Sequence, residues 1–422
     1  MHDFFSPMTG RERVLAALNF RSPDVLPFDF GGHRSSGIAA LAYTRLKKEL
    51  GIRSGNTYVY DMIQQLAIIE NPVLDAFNID TIELGRGFNL HENDWKDWVL
   101  PDGTACKIPA FIRVVKEGSD WTILSGDGKI LGQQKKGVLY FEQSGFPMAG
   151  RDFRNDPFDD LEEQMKLGMW TSVPVPGSQF KLEGNDLVKL EEGARELRKN
   201  SNKAIIGLFG GNLFETPQFL FGAENYLSYM VMYPDAILRL SDKLCDIYCR
   251  NISKWLKAVG PYIDIMLFGD DLGSNFGPIF DPAMYREYYK PFHRKMWALA
   301  KQLAPHVKIL LHSCGGIEPF LEDLIDAGLD AVNPVQISCK DMNLQYLKEK
   351  YQGRITLWGG GCDTQHILPH SAPDEIREHV RNQISPWKGS GGYVFQQVHN
   401  ITADVPVENI IALLEAAHKY RQ

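Results

Sequence analysis

The side chains best suited to chemistry lie in the last third of the chain. His312 and Cys314 stand two apart in VKILLHSCGG (307–316), an apolar run that ends in polar residues and glycines. Alternate side chains of an extended strand share a face, so the imidazole and the thiol point the same way. Cys362 closes ITLWGGGC (355–362) and His399 closes GGYVFQQVH (391–399). Imidazole and thiolate are good zinc ligands, and three or four of them from separate strands, with one position open, would form a catalytic zinc centre. The other reading makes Cys314 a small buried filler and His312 a hydrogen-bonding or acid–base residue. Asp270 and Asp271 end IDIMLFGDD and point to opposite sides in a strand, so at most one is catalytic without a bend. One could orient His312 or act as a general acid; capping or arginine pairing is the structural alternative.

Strands must carry these residues to one place. VLPFDFGG (25–32), DTIELG (80–85), AIIGLFGG (204–211), IDIMLFGDD, VKILLHSCGG, DAVNPVQ (330–336), ITLWGGGC and GGYVFQQVH are short apolar runs, most of them followed by helical periodicity. About eight strands alternating with helices predict an α/β fold, a (β/α)8 TIM barrel, with the whole chain, 1–422, as one barrel domain. A doubly wound open sheet is the alternative; polar residues ending nearly every strand favour strands that ring one mouth. From about 94 to 147 the text alternates apolar and polar residues around DG and SG turns, which predicts an antiparallel β excursion in the N-terminal half. Helical periodicity is read over 38–52, over 62–78, from Leu213 to about Val259 with breaks near Gly222 and Pro234, and without interruption over MYREYYKPFHRKMWALAKQL (284–303).

In a barrel the residues just past each strand converge on one site. Those positions hold Asp29 and His33, Asp80 and Glu83, Gly210–Asn212, Asp270 and Asp271, His312 and Cys314, Asn333 and Gln336, Cys362 and Asp363, and His399 and Asn400. Among them Asp29, His33, Arg34, Tyr60, Asn212, Gln336, Asp363 and Gln365 are expected to touch substrate. The glycines of GGGCDTQ (359–365) let backbone amides approach an anionic group, or only allow a tight turn that Asp363 and Gln365 cap. Cys245 and Cys249, spaced i, i+4 in an apolar helical stripe, read as core packing.

With 44% hydrophobic and 23% charged residues the composition is that of a globular protein, and the net charge of −8 with no long basic cluster argues against nucleic acid as partner. No window approaches a membrane span or a secretion signal. Six cysteines in 422 residues are too few for a disulfide framework, so reduced thiols in the cytoplasm are expected.

The segments DVLPFDFGG, FGDDLGSNFGP with the later KPFHR, LLHSCGGIEPFLEDLIDAGLDAVNPVQ, WGGGCDTQ and HNITADVPVENI resemble the uroporphyrinogen decarboxylase superfamily over nearly the whole chain. The resemblance implies a TIM barrel and one of two chemistries. Uroporphyrinogen decarboxylases use no metal and grip a porphyrinogen's carboxylates with N-terminal arginines; FGGHRSSG offers Arg34 alone. The other branch, the corrinoid-protein-dependent methyltransferases, carries zinc through a His-x-Cys pair and a distant Cys. His312 and Cys314 match the pair. The distant Cys precedes a Pro-x-Glu-Asn-like helix start, and here VPVEN follows HNITAD, which puts His399 near that position with Cys362 as the alternative ligand. The resemblance thus implies zinc, a corrinoid (cobalamin) carried by a partner protein, and methyl transfer to or from a methyl ether, methylamine or thiol. A metal-free decarboxylase of a carboxylated substrate is the alternative, with His312, Asp270 and Arg34 as candidates. Barrels of this kind often pair, so a homodimer is also an expectation.

Overall fold

The computed structural model describes residues 7–422 except positions 54 and 174. Seven strands form one sheet in the order Tyr393–Val394, Thr356–Trp358, Ala331–Asn333, Lys308–His312, Ile265–Gly269, Ala204–Gly210 and Thr81–Glu83, and every neighbouring pair is parallel. Segment 26–30 closes the sheet on itself. Asp29 N–H donates to Phe395 O at 2.8 Å and Phe395 N–H to Pro27 O at 2.9 Å, while on the other side Asp80 N–H donates to Phe28 O at 2.9 Å. With that eighth segment the edges vanish, and the expected α/β barrel is what forms.

The period of two along each strand separates two cores. One set of residues, Ala204, Ile206, Ile265, Leu267, Leu310, Ala331, Trp358 and Val394, fills the barrel interior together with Val14, Ala17 and Leu18 of helix Gly10–Leu18. That helix sits at the bottom: Arg11 N–H bonds Asn202 O and Gly392 N–H bonds Ala17 O, both just before a strand begins. The alternate set, including Ile205, Met266, Ile309, Leu311, Val332 and Leu357, packs outward into the large core shared with the helices. Continuing the inward series by two residues at the strands' other end gives His312 after Leu310, Asn333 after Ala331, Gln396 after Val394 and Glu83 after Thr81. Chain geometry therefore delivers polar side chains to the C-terminal mouth.

The antiparallel excursion is present as two sheets. Trp95–Val99 pairs with Ala105–Pro109, and Arg113–Glu117, Asp120–Leu124, Ile130–Gln134 and Glu142–Gln143 follow in sequential order. The helical stretch after Leu213 breaks where expected, into Glu215–Phe221, Ala223–Met232 and Pro234–Val259. Two readings need correction. The stretch 62–78 is helical only over Asn71–Ala76, because Gln65 takes a positive φ of 55° and Pro72 starts the helix instead of continuing one. The stretch 284–303 lies in two helices, Pro282–Tyr288 and Lys290–Leu303, since Pro291 suits a first turn and not a helix interior. Among the described residues no helix is long and apolar enough to cross a membrane.

Candidate active site

At the C-terminal mouth, ligand atoms of His312, Cys314 and His399 lie within 4.8 Å of one another, the one group of three or more His, Cys, Asp or Glu so disposed among the described residues. Cys314 Sγ is 3.3 Å from His312 Nε2. The hydrogen bonds behind His312 decide which nitrogen faces the cluster. Asn333 Nδ2 donates to Gln396 Oε1 at 2.7 Å and to Trp358 O at 3.3 Å, so its Oδ1 must accept, and His312 Nδ1, at 2.9 Å, carries the proton. The Nε2 lone pair therefore points at the cluster, the arrangement in which the far ring nitrogen is tied to a fixed acceptor. Ser35 Oγ also lies 3.3 Å from Nε2.

Burial sets the charge states. It lowers the pKa of His312, and it holds His399 down to about 3 with help from neighbouring His312, so both rings are neutral donors. Burial, with Asp271 and Glu215 nearby, pushes the Cys314 thiol well above its usual range. Two neutral imidazoles, a thiol and a nearby carboxylate are short of positive charge, which a divalent cation would supply.

Cys362 does not join this group. Its side chain is fully buried in the hydrophobic core, and its Sγ meets Asp363 O at 3.9 Å. The bend after Thr356–Trp358 explains this: Gly359 and Gly360 adopt positive φ, and Gly361 packs so closely on the Phe395 ring that a Cβ would lie 2.1 Å from it. The chain turns away before Cys362 can reach the mouth. Asp363 accepts from Gln365 N–H at 2.8 Å and from His366 Nδ1 at 3.0 Å, and Gln365 Oε1 accepts from Ser338 Oγ, so these two residues stabilise a turn.

The two adjacent aspartates part as their alternation requires. Asp271 faces the cavity, accepts Cys314 N–H at 2.8 Å and lies 3.7 Å from His312 Nε2. Asp270 is fully buried and accepts the backbone N–H groups of Leu213, Phe214 and Glu215 at 2.8–3.0 Å, which makes it a positioning residue and corrects its expected catalytic role. Asp29 and His33 likewise stand behind the site. Asp29 accepts from Gly32 N, Thr81 Oγ1, Ser36 Oγ and Trp358 Nε1, and lies 3.2 Å from His33 Nε2. Tyr60 packs with Leu66, Trp95 and Val175; of these Val175 lines the cavity, so Tyr60 stands behind the wall and does not itself line it. Gln336 accepts Gly315 N–H at 2.7 Å and so holds the loop bearing Cys314.

His312 and His399 open on a cavity of about 750 Å³ that Arg34, Asn212, Glu83, Glu215, Trp170 and Phe209 also line. Arg34 Nε donates to Asp61 Oδ2 at 2.5 Å, and Asn212 Nδ2 to Glu215 Oε2 at 2.6 Å. Burial raises the Glu83 carboxyl to about 8 and lifts Glu215 well above the usual range, Asp271 and Asp270 adding to the latter. Glu83 and Asn333 were readable as polar strand ends. Glu215 and Trp170 lie within helices, where no local pattern marks them.

A sequence model of the family described as Uroporphyrinogen decarboxylase (URO-D) matches residues 182–420. Similar proteins include the uroporphyrinogen decarboxylases of Cupriavidus pinatubonensis, 28% identical over 192 residues (43% of this chain, 48% of that one), and of Legionella pneumophila strain Paris, 26% identical over 146 residues (35% and 39%). The matched stretches thus span less than half of those relatives. A solved methyltransferase from Methanosarcina mazei superimposes with a TM-score of 0.57 at 14% identity, covering 99% of this chain and 100% of that one, a likeness of fold. With more than half its length matched by that family's pattern, and with the closed barrel bearing a polar C-terminal mouth, the chain belongs to the uroporphyrinogen decarboxylase family.

Proposed function

We propose that this chain is a zinc-dependent methyltransferase that moves a methyl group between a small molecule and a corrinoid carried by a partner protein. The observation that carries the reading is the His312–Cys314–His399 cluster, its ligand atoms within 4.8 Å of one another beside the cavity. The residues fit zinc: nitrogen and sulfur donors, a His312 tautomer fixed by Asn333, and neutral rings. Three protein ligands leave a position for substrate. Zinc held there would act as a Lewis acid on a leaving group or lower the pKa of a thiol acceptor. Around it the chain's own residues orient and exclude water: Asn333 holds the His312 ring, Asp271 anchors the Cys314 backbone, and the cavity walls surround the small molecule.

The alternative, metal-free decarboxylation of a carboxylated substrate such as a porphyrinogen, calls for cations to receive the carboxylates. Among the described residues the lining contains one arginine, Arg34, already bonded to Asp61, and no lysine. That supports the methyltransferase reading. Metal analysis of the purified protein tests it: about one zinc per chain is expected, lost on Cys314→Ala. Absorbance of cobalamin mixed with the protein and methyl compounds should then report change at cobalt. A metal-free protein whose activity survives chelation would overturn the proposal.

A further inference from the structure

Two of the six cysteines stand together away from the cavity lining. Cys245 and Cys249 lie on successive turns of the uninterrupted helix Pro234–Val259, and their sulfurs are 3.9 Å apart. This helix packs against Lys290–Leu303, whose Phe292 O comes within 3.8 Å of Cys245 Sγ. Cys245 is fully buried, whereas Cys249 is half-buried and leaves a way in from solvent. Both thiols feel the Lys295 ammonium, which also bonds Asp246 at 2.8 Å. The Cys245 thiol and that ammonium hold Cys249 down to about 7, while the same contact and burial push Cys245 up. Core packing accounts for a buried Cys245. It does not account for two thiols turned toward each other beside an ammonium.

The helix itself limits what such a pair can do. Side chains four apart on a helix have Cβ atoms about 5–6 Å apart, and a disulfide needs about 3.5–4.5 Å, so direct closure would distort the turn. An ion between the sulfurs needs no such closure, because metal–sulfur bonds of about 2.3 Å reach both across the 3.9 Å gap. No third His, Cys, Asp or Glu completes the site among the described residues. Structural zinc and iron–sulfur clusters call for four donors. Two sulfurs alone suit a soft cation of the Cu(I) kind. Binding sheds the thiol protons to solvent, and the single negative charge left on two thiolates and one monovalent ion is offset by Lys295.

We infer that Cys245 and Cys249 form a metal site of their own, a two-thiolate clamp for a soft monovalent cation of the Cu(I) class, set in the helical layer and separate from the His312–Cys314–His399 cluster. The inference is independent of the proposed function, since none of its groups belongs to the mouth.

Anaerobic titration of the reduced full chain with Cu(I), in competition with bathocuproine disulfonate, tests it. The thiol at the mouth would also take Cu(I), so the titration is made on Cys314→Ala. That variant should bind about one Cu(I) per chain, with a sulfur-only shell in X-ray absorption. Adding either Cys249→Ser or Cys249→Ala should abolish binding, with thermal unfolding showing that each variant is folded. Failure of Cys314→Ala to bind, binding that survives loss of Cys249, or a shell containing nitrogen would each overturn the inference. Zinc content reports separately on the proposed function: it should follow Cys314 and be indifferent to Cys249→Ser.

Discussion

At the scale of single residues, the structure separates side chains that face the cavity from those that hold them. Asn333 is of the second kind. Asn333→Ala leaves His312 Nδ1–H without its acceptor, and zinc affinity should fall about 10- to 100-fold in competition with a chromophoric chelator; an unchanged affinity would show that the amide does not set the tautomer. Cys362→Ala, by contrast, should leave zinc content intact, because that thiol is enclosed in the hydrophobic core. Glu83 also has a signature in stability. Its carboxyl titrates near 8 in the folded chain and near 4.3 when unfolded. Between those values the folded state keeps a proton that the unfolded state has lost, so stability declines with rising pH by up to about 1.4 kcal/mol per unit. Below about 4 the group contributes nothing, and above 8 the loss is complete. Urea unfolding at pH 5 and pH 8 should show Glu83→Gln gaining on the wild type at the higher pH.

At the scale of elements, two loops position the cluster. Gly315 has φ 91° and packs against the hairpin at Gly273, where a Cβ would come within 2.2 Å of a backbone carbon. Gly315→Ala should displace the loop carrying Cys314 and lower zinc content, at a stability cost of roughly 1–3 kcal/mol. Asp270 ties the end of strand Ile265–Gly269 to the turn that starts helix Glu215–Phe221, through three backbone N–H groups. Asp270→Ala strands those buried donors and should cost roughly 3–5 kcal/mol, whereas Asp271→Ala, at the cavity, frees a single part-buried donor, the Cys314 N–H, and should cost only about 1 kcal/mol. Equal losses from the two would refute the division of labour drawn between them.

At the scale of the whole molecule, the barrel separates stability from chemistry. Helix Gly10–Leu18 plugs the bottom with Val14, Ala17 and Leu18, while the cluster occupies the opposite mouth. Leu18→Ala should destabilise the fold by about 2–5 kcal/mol and leave zinc per folded chain as it was; its loss would mean that the two ends are coupled. The closed ring of strands also explains how residues from Ser35 to His399 share one site. Each strand contributes its inward-facing end, and closure through segment 26–30 brings the first polar turn beside the last.

The sequence by itself determined the barrel and its polar mouth, because eight apolar runs with polar ends express a period of two and a helical connection that only a few folds satisfy. It also determined the His312–Cys314 pair, since two residues apart on a strand fixes a common face whatever surrounds it. Cys362 and His399 were beyond its reach: both end strands, and only the backbone bend at Gly359–Gly361 turns one thiol into the core while His399 meets the pair. The division between Asp270 and Asp271 is of the same kind, a choice of faces made by packing. Glu83, Glu215 and Trp170 acquire their significance from burial and from neighbours distant in the chain, and the free energy of a charge depends on everything that surrounds it in three dimensions.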